Sequence, residues 1–390
     1  MNRLAITNVE IYNKTYLAYN LLDENRDLLD FQLFLNDSIL NNIYIGKVEN
    51  VIENLNAAFV RISPTQRCYL PLNKVNNIIY TKRNSTRKLL SVGDEIVIQI
   101  VKEAIKTKEP VASCDFTLEG DYALLTTRNK KMSVSRKLDE DQRKKMIDLS
   151  LKYKSKDYGI LIRTNAKEVE IDMVEKDIIE LTTLFNNIKS FSEHRSMYDV
   201  LYNAPKGYIS KIKSQNAKNI DYIYTDIEEV YQQIKEHLGY LCDREVIKFY
   251  DDKDVSLKTL YNIRRFVDEL TQKTVKLKSG ANIIIESLET LTIIDVNTSK
   301  GSKQKNVIEK VNCEAAVEIA RQLRLRNISG MVIIDFINMD SKKQNEKLIQ
   351  CLKAEISKDS VKTDFIDITK LGLIELTRKK TSKSLVDILR

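Results

Sequence analysis

The chain has 390 residues, enough to bury a large core and to hold two or more domains. Its five cysteines are scattered, odd in number and without a C-x-x-C pair, and His194 and His237 are the only histidines, which argues against a disulfide scaffold, a thiolate zinc centre and histidine-based catalysis. The net charge of +8 suits a polyanionic partner or equally a solvated basic surface; with no apolar run of membrane-spanning length and no signal-peptide pattern, a cytoplasmic protein is expected.

Residues 1–36 alternate apolar and polar side chains and read as a β-meander too small to make its own core, so it must pair with something later. Residues 37–117 read as a small β-barrel, with strand candidates at 43–52, 57–62, 67–72, 95–104 and 112–118. Barrels of this kind bind single-stranded nucleic acid by stacking bases on aromatics beside a basic groove. Phe59, inside Ala-Ala-Phe-Val, is either such a platform or plain core; Tyr69 is the more exposed candidate. Residues 118–205 form a second insertion. Within it the strand 157–164 ends on Arg163-Thr164, where a guanidinium and a hydroxyl could grip a phosphate or simply form a surface salt bridge. Segments 170–189, 225–239 and 256–267 show helical spacing. Asp251, Asp252 and Asp254 read as an exposed acidic turn rather than a metal cluster.

The stretch from 276 to 336 carries the most chemistry. Two Ile-rich strands at 282–286 and 292–295 are separated by Ser287-Leu288-Glu289. An arginine-studded helix follows at 314–327, and a buried strand at 331–335 comes after Ser329-Gly330. Asp295 and Asp335 then fall at corresponding ends of strands that could be neighbours. A bare carboxylate there needs a partner or a cation, and two carboxylates facing a cleft are what Mg²⁺ uses. Asn297, two residues past Asp295, points to the same face of an extended chain and could orient a water or a phosphate oxygen. Capping of strand ends, or bonding to arginines, is the alternative. Arg321 and Arg324 share a helix face and Arg326 lies on another. RNA backbone, Glu314, Glu318 and the aspartates are all open as their partners.

Four segments occur in an order that resembles the catalytic core of the ribonuclease E/ribonuclease G family. They are Leu277-Lys278-Ser279-Gly280, Thr292-Ile293-Ile294-Asp295-Val296-Asn297-Thr298, residues 314–327, and Val332-Ile333-Ile334-Asp335-Phe336. Gly46-Lys47-Val48, Ala57-Ala58-Phe59-Val60 and Cys68-Tyr69-Leu70-Pro71-Leu72 resemble an S1 domain, an OB-type barrel. The resemblance implies an α+β multidomain fold. A ribonuclease H-like subdomain would comprise 1–36 plus 206–272, with an S1 RNA-binding domain at 37–117 and a 5′-sensor region at 118–205. A DNase I-like catalytic subdomain would cover 273–390. It implies that Asp295 and Asp335 hold a catalytic Mg²⁺ with Asn297 assisting, and that Phe59, Tyr69 and Lys108 hold RNA. It also implies that Arg163, Thr164 and the Val134-Ser135-Arg136 loop bind the RNA's 5′-monophosphate, with Lys362 as a basic residue near that pocket.

The expected activity is cleavage of single-stranded, A/U-rich RNA to 5′-phosphate and 3′-hydroxyl ends, with ribosomal RNA processing and messenger decay as the family's roles. There are departures. Ser133 stands for a usual Gly, a poor exchange where φ must be positive, and Glu109 puts a negative charge beside Lys108. Ser299 and Asn338 replace a usual Gly and Asp, and the loop 300–312 is short. Residues 373–380 resemble the family's stretch before a C-P-x-C zinc link, but no such motif follows. Zinc and the zinc-linked tetramer are therefore not expected, and a homodimer stays open. Two alternatives remain: a catalytically weak RNA-binding or ribosome-associated protein of this fold, disfavoured by the intact acids, and a DNA nuclease, disfavoured by the barrel and sensor segments.

Overall fold

The computed structural model describes residues 1–35, 37–75, 77–84, 90–104, 108–214, 220–239, 245–298, 305–339, 341–380 and 382–389. They form two compact units: residues 1–36 with 217–390, and residues 37–216.

The first unit opens with a three-stranded meander, Arg3–Ile11, Lys14–Leu22 and Leu28–Phe34. The first hairpin turns on Tyr12 and Asn13, both with positive φ (50° and 62°), the backbone of a two-residue turn whose twist matches the strands it joins. The partner that the meander lacks is supplied by Tyr222–Thr225, which pairs in parallel with Arg3–Ile11, and Ile247–Phe249 adds a further parallel strand. Leu4, Ala5 and Ile6 are all fully buried, so both faces of the first strand are covered and the simple alternation fails there. Ala5 and Val9 share a core with Leu257, Ile263 and Val267. The helix expected across 256–267 is two, Leu257–Leu260 and Ile263–Thr271, because Asn262 between them adopts a left-handed conformation (φ 51°).

The same unit holds a six-stranded sheet in the order Thr274–Lys276, Asn282–Ser287, Leu291–Asn297, Gly330–Asp335, Ile374–Arg378, Thr363–Ile368. The first hairpin needs Gly280 at φ 84°, a conformation that costs other residues. Leu291–Asn297 and Gly330–Asp335 run parallel, and the helix Lys305–Leu325 connects them. That helix and Lys342–Ile356 cover one face, where Ile283, Ile294, Val296, Val332 and Ile334 meet Ala315, Ile319, Leu323 and Leu352. On the middle strands the side chains between these point to the other face, following the two-residue period.

The second unit contains a closed five-stranded barrel. Ile43–Ile52, Ala57–Arg61, Arg67–Pro71, Val111–Ser113 and Glu95–Lys102 pair in turn, and the last returns to the first. The expected strand at 112–118 is two pieces. Val111–Ser113 closes the barrel, while Thr117–Glu119 starts a separate four-stranded sheet with Ala123–Thr126, Gly159–Ile162 and Ser133–Val134. The break is held by Phe116, whose N–H donates to Thr127 Oγ1 at 3.0 Å. Helices Glu140–Leu151 and Ile171–His194 pack on this sheet through Met146, Leu149, Val174, Ile178 and Phe185. Among the described residues no helix is long and apolar enough to cross a membrane.

Candidate functional site

Asp295 and Asp335 face each other in register at the ends of adjacent parallel strands. The arrangement follows from the pattern of the strands. Ile294 and Val296, and Val332 and Ile334, bury against the helices, so the residues between them are turned to the other face. Asp295 is half-buried and Asp335 exposed. Asn297, on the same face, donates from Nδ2 to Asp295 Oδ2 at 2.6 Å, which fixes how that carboxylate is turned. Asn282 pairs with Asn297 in the register, and its Oδ1 is buried without a hydrogen-bond partner among the described residues. No local pattern in the sequence marks Asn282. Only the strand register reveals it.

Among the described residues no lysine or arginine forms an ion pair with Asp295 or Asp335. Arg321 and Arg326 are used elsewhere, and Arg324 Nη1 is buried with no hydrogen-bond partner among the described residues. Arg321 bonds Glu318 Oε1 at 3.0 Å and the Leu28 carbonyl at 3.1 Å. Arg326 is buried, donates to Gln322 Oε1 at 2.6 Å and to the Gln272 carbonyl at 2.7 Å, and burial pushes its guanidinium down to about 10. The fully buried Asn312 clasps the chain just past the second acid. It donates to the Ile337 carbonyl at 2.8 Å and accepts from the Ile337 N–H at 3.2 Å.

The two barrel aromatics are adjacent. Phe59 and Tyr69 are paired in register on neighbouring strands, with ring centroids 5.9 Å apart and an interplanar angle of 69°. Phe59 is half-buried and lies outside the barrel core. Its neighbours Ala58 and Val60 enter that core, so alternation turns Phe59 outward. The Tyr69 N–H donates to the Pro110 carbonyl at 2.8 Å, which draws the exposed Lys108 segment alongside. Glu109 is not a loose charge: it accepts from Arg67 Nε at 2.8 Å, and the bond holds the guanidinium above its ordinary pKa.

Arg163 and Thr164 follow the strand Gly159–Ile162 and diverge. The Arg163 guanidinium donates to the Gly120 carbonyl at 3.2 Å and lines a cavity with Glu119, Tyr202 and Lys213. The Thr164 hydroxyl bonds the Ser135 hydroxyl at 2.8 Å. Val134 is buried and pairs with Ile162, so it can offer a ligand only its backbone. Ser133 lies in that short strand with no positive φ, so serine is not strained there. Asp177 clamps the adjoining loop by accepting from the backbone N–H groups of Asp121, Tyr122 and Ala123. Burial raises the Tyr202 hydroxyl to about 12, keeping it a donor at neutral pH.

Lys362 pairs with Asp364 at 2.8 Å. Asp251, Asp252 and Asp254 are an exposed turn: Asp252 accepts from the Asp254 and Val255 N–H groups, which lowers its pKa. Ser299 and residues 300–304 lie outside the described residues, whereas 305–312, expected as loop, are the first turns of the helix Lys305–Leu325.

A family model described as the Ribonuclease E/G family matches residues 117–381. Ribonuclease E of Synechocystis sp. is 29% identical over 361 residues, which cover 90% of this chain and 53% of that protein. Ribonuclease G of Haemophilus influenzae is 29% identical over 371 residues, covering 90% of this chain and 74% of that protein. A ribonuclease E/G-like protein of Pyropia yezoensis is 29% identical over 364 residues, covering 90% and 71%. The chain spans about half the length of the Synechocystis protein and of a ribonuclease E from Nostoc sp..

Proposed function

The chain belongs to the ribonuclease E/G family, and on that premise we propose that it is a Mg²⁺-dependent endoribonuclease acting on single-stranded RNA. The observation that carries this reading is the in-register pairing of Asp295 with Asp335, with Asn297 bonded to the first. The donor set fits a hard cation, with two carboxylates and the amide groups of Asn297 and Asn282 beside them; among the described residues no third His, Cys, Asp or Glu side chain joins them, so the remaining positions would be filled by water or phosphate. Asp295 and Asp335 would hold the ion. Bound Mg²⁺ would stabilise charge on the scissile phosphate and make a bound water more acidic. Asn297 keeps Asp295 aimed, so the carboxylate need not reorganise when substrate arrives. Attack in line by water leaves a 5′-phosphate and a 3′-hydroxyl.

Phe59 and Tyr69 would stack bases, with Lys108 on the adjoining backbone. Arg163, Thr164 and the Val134 backbone would favour RNA with a 5′-monophosphate; because the two side chains now diverge, Arg163 would leave the Gly120 carbonyl to join Thr164 on the phosphate. The sheet order supports a ribonuclease H-like subdomain at 1–36 and 206–272, and the six-stranded sheet a DNase I-like one at 273–390. The closed barrel supports the S1 reading. A cytoplasmic setting and roles in ribosomal RNA processing and messenger decay follow by analogy with the family.

The test is cleavage of an A/U-rich single-stranded RNA with a 5′-monophosphate or a 5′-hydroxyl, with Mg²⁺ or EDTA, by wild type and by Asp295→Asn/Asp335→Asn. Internal cutting that needs both Mg²⁺ and the acids, and that is faster on the monophosphate, is expected. Cutting by the double variant would overturn the active-site assignment. Tight binding without cutting would leave a binding protein.

A further inference from the structure

The barrel carries more than an aromatic pair on its outer face. Arg61 lies two residues from Phe59 along one strand, and Arg67 lies two residues from Tyr69 along the next. The register pairs Phe59 with Tyr69 and Arg61 with Arg67. Val60 and Cys68 between them are fully buried in the barrel core. The four side chains therefore form a grid on one face: an aromatic row beside an arginine row, about 6–7 Å apart along the strands. Each arginine is now held by a carboxylate. Arg61 Nε meets Glu49 Oε1 at 3.1 Å while its Nη1 donates to the Pro64 carbonyl at 2.7 Å, and Arg67 Nε meets Glu109 Oε1 at 2.8 Å. The Arg67 guanidinium also lies over the Phe59 ring, 5.0 Å from its centroid. Both pairs are partly open to solvent, with side-chain exposures of 29% and 38% in one and 49% and 35% in the other.

We propose that Arg61 and Arg67 are RNA-contacting residues that bind two backbone phosphates of a strand stacked on Phe59 and Tyr69, with the phosphates displacing Glu49 and Glu109. The inference rests on the reading of Phe59 and Tyr69 as a base platform. Exposed ion pairs are weak, so exchanging a carboxylate for a phosphate oxygen costs little. A guanidinium accepts both anions through the same planar fork. A base arriving on Phe59 lands where Arg67 now lies, so stacking and release of Arg67 from Glu109 are one event. The glutamates keep the row neutral without ligand, which disfavours loose capture of other polyanions.

Anisotropy of a fluorescent oligo(U) in EDTA, over a series of KCl concentrations, tests this without cleavage. Far-UV circular dichroism and thermal melts would check that each variant is folded. Arg61→Ala/Arg67→Ala should weaken binding about tenfold near 0.1 M salt and flatten the log K against log salt slope by about 1.4, since each single-strand phosphate contact contributes about 0.7. Glu49→Gln/Glu109→Gln should bind about threefold more tightly, because it removes only a weak competing pair. An unchanged slope in the arginine variant, or weaker binding in the glutamate variant, overturns the inference. Loss of binding in Phe59→Ala/Tyr69→Ala with none in the arginine variant overturns it too, but leaves the platform standing. The reverse pattern supports the arginines as phosphate contacts and overturns the platform reading instead.

Discussion

The six-stranded sheet and the barrel both pair arginine with a carboxylate, and they do so to opposite ends. In the sheet, Arg378 and Asp359 are buried, with side-chain exposures of 3% and 6%. Arg378 reaches Asp359 Oδ2 at 2.7 Å, Asn327 Oδ1 at 2.9 Å and the Ile328 carbonyl at 3.0 Å. The guanidinium makes four hydrogen bonds with almost no surface left open. On the barrel, Arg67 and Glu109 meet at the surface over an aromatic ring, where a competitor can replace either partner. The contrast teaches that burial, not the pair itself, decides whether an ion pair is scaffold or exchangeable contact. The acids at the sheet's strand ends extend the point. Asp295 has an amide donor and no cationic partner among the described residues, leaving its charge for something that binds.

The comparison can be broken at four points. The largest effect is expected at the acids. Asp295→Asn should slow RNA cleavage about a thousandfold or more, since a metal site contributes several kcal/mol to the barrier; oligo(U) affinity should hardly move, and normal cleavage would remove Asp295 from the site. Next is the buried pair. Arg378→Met should cost about 3–5 kcal/mol of stability in urea unfolding, because it strands the Asp359 charge in the interior; a loss below 1 kcal/mol would mean the pair is effectively solvated. Tyr69→Ala should weaken oligo(U) binding by about 1–3 kcal/mol with its melting temperature unchanged. A destabilised fold would make Tyr69 a packing residue. The smallest effect is at Arg67→Ala, which should change stability by less than about 1 kcal/mol, as expected for an exposed pair; a loss like that of Arg378 would erase the distinction.

The sequence makes the strand-end acids legible because the chemistry there is local. Thr292-Ile293-Ile294-Asp295 and Val332-Ile333-Ile334-Asp335 each announce a buried strand that ends on an acid, and the register brings those ends together as the pattern implies. The barrel's grid is not legible. Arg61 and Arg67 sit in unrelated words, Val60-Arg61-Ile62 and Gln66-Arg67-Cys68, and only cross-strand pairing makes them neighbours. Phe59 reads ambiguously because it is flanked by small and apolar residues on both sides, and only the burial of Ala58 and Val60 shows which way it turns. Asn282 is hidden for the same reason. The broken strand at 112–118 fails differently: apolar periodicity continues across Cys114-Asp115-Phe116, but the Phe116 N–H donates to the Thr127 hydroxyl where the chain passes into another sheet.

The parallel pairing of Arg3–Ile11 with Tyr222–Thr225 has a consequence for synthesis. On a ribosome the meander emerges before its partner, with its first strand's edge open. Its partner arrives on the order of 200 residues later, about 10–40 s at ordinary elongation rates. The unit of residues 37–216 is continuous in sequence, so the whole of it emerges within that wait. An open edge of apolar strand is a template for other chains. Substitutions that slow the inserted unit should therefore show first as aggregation of nascent protein, before any change in the finished molecule.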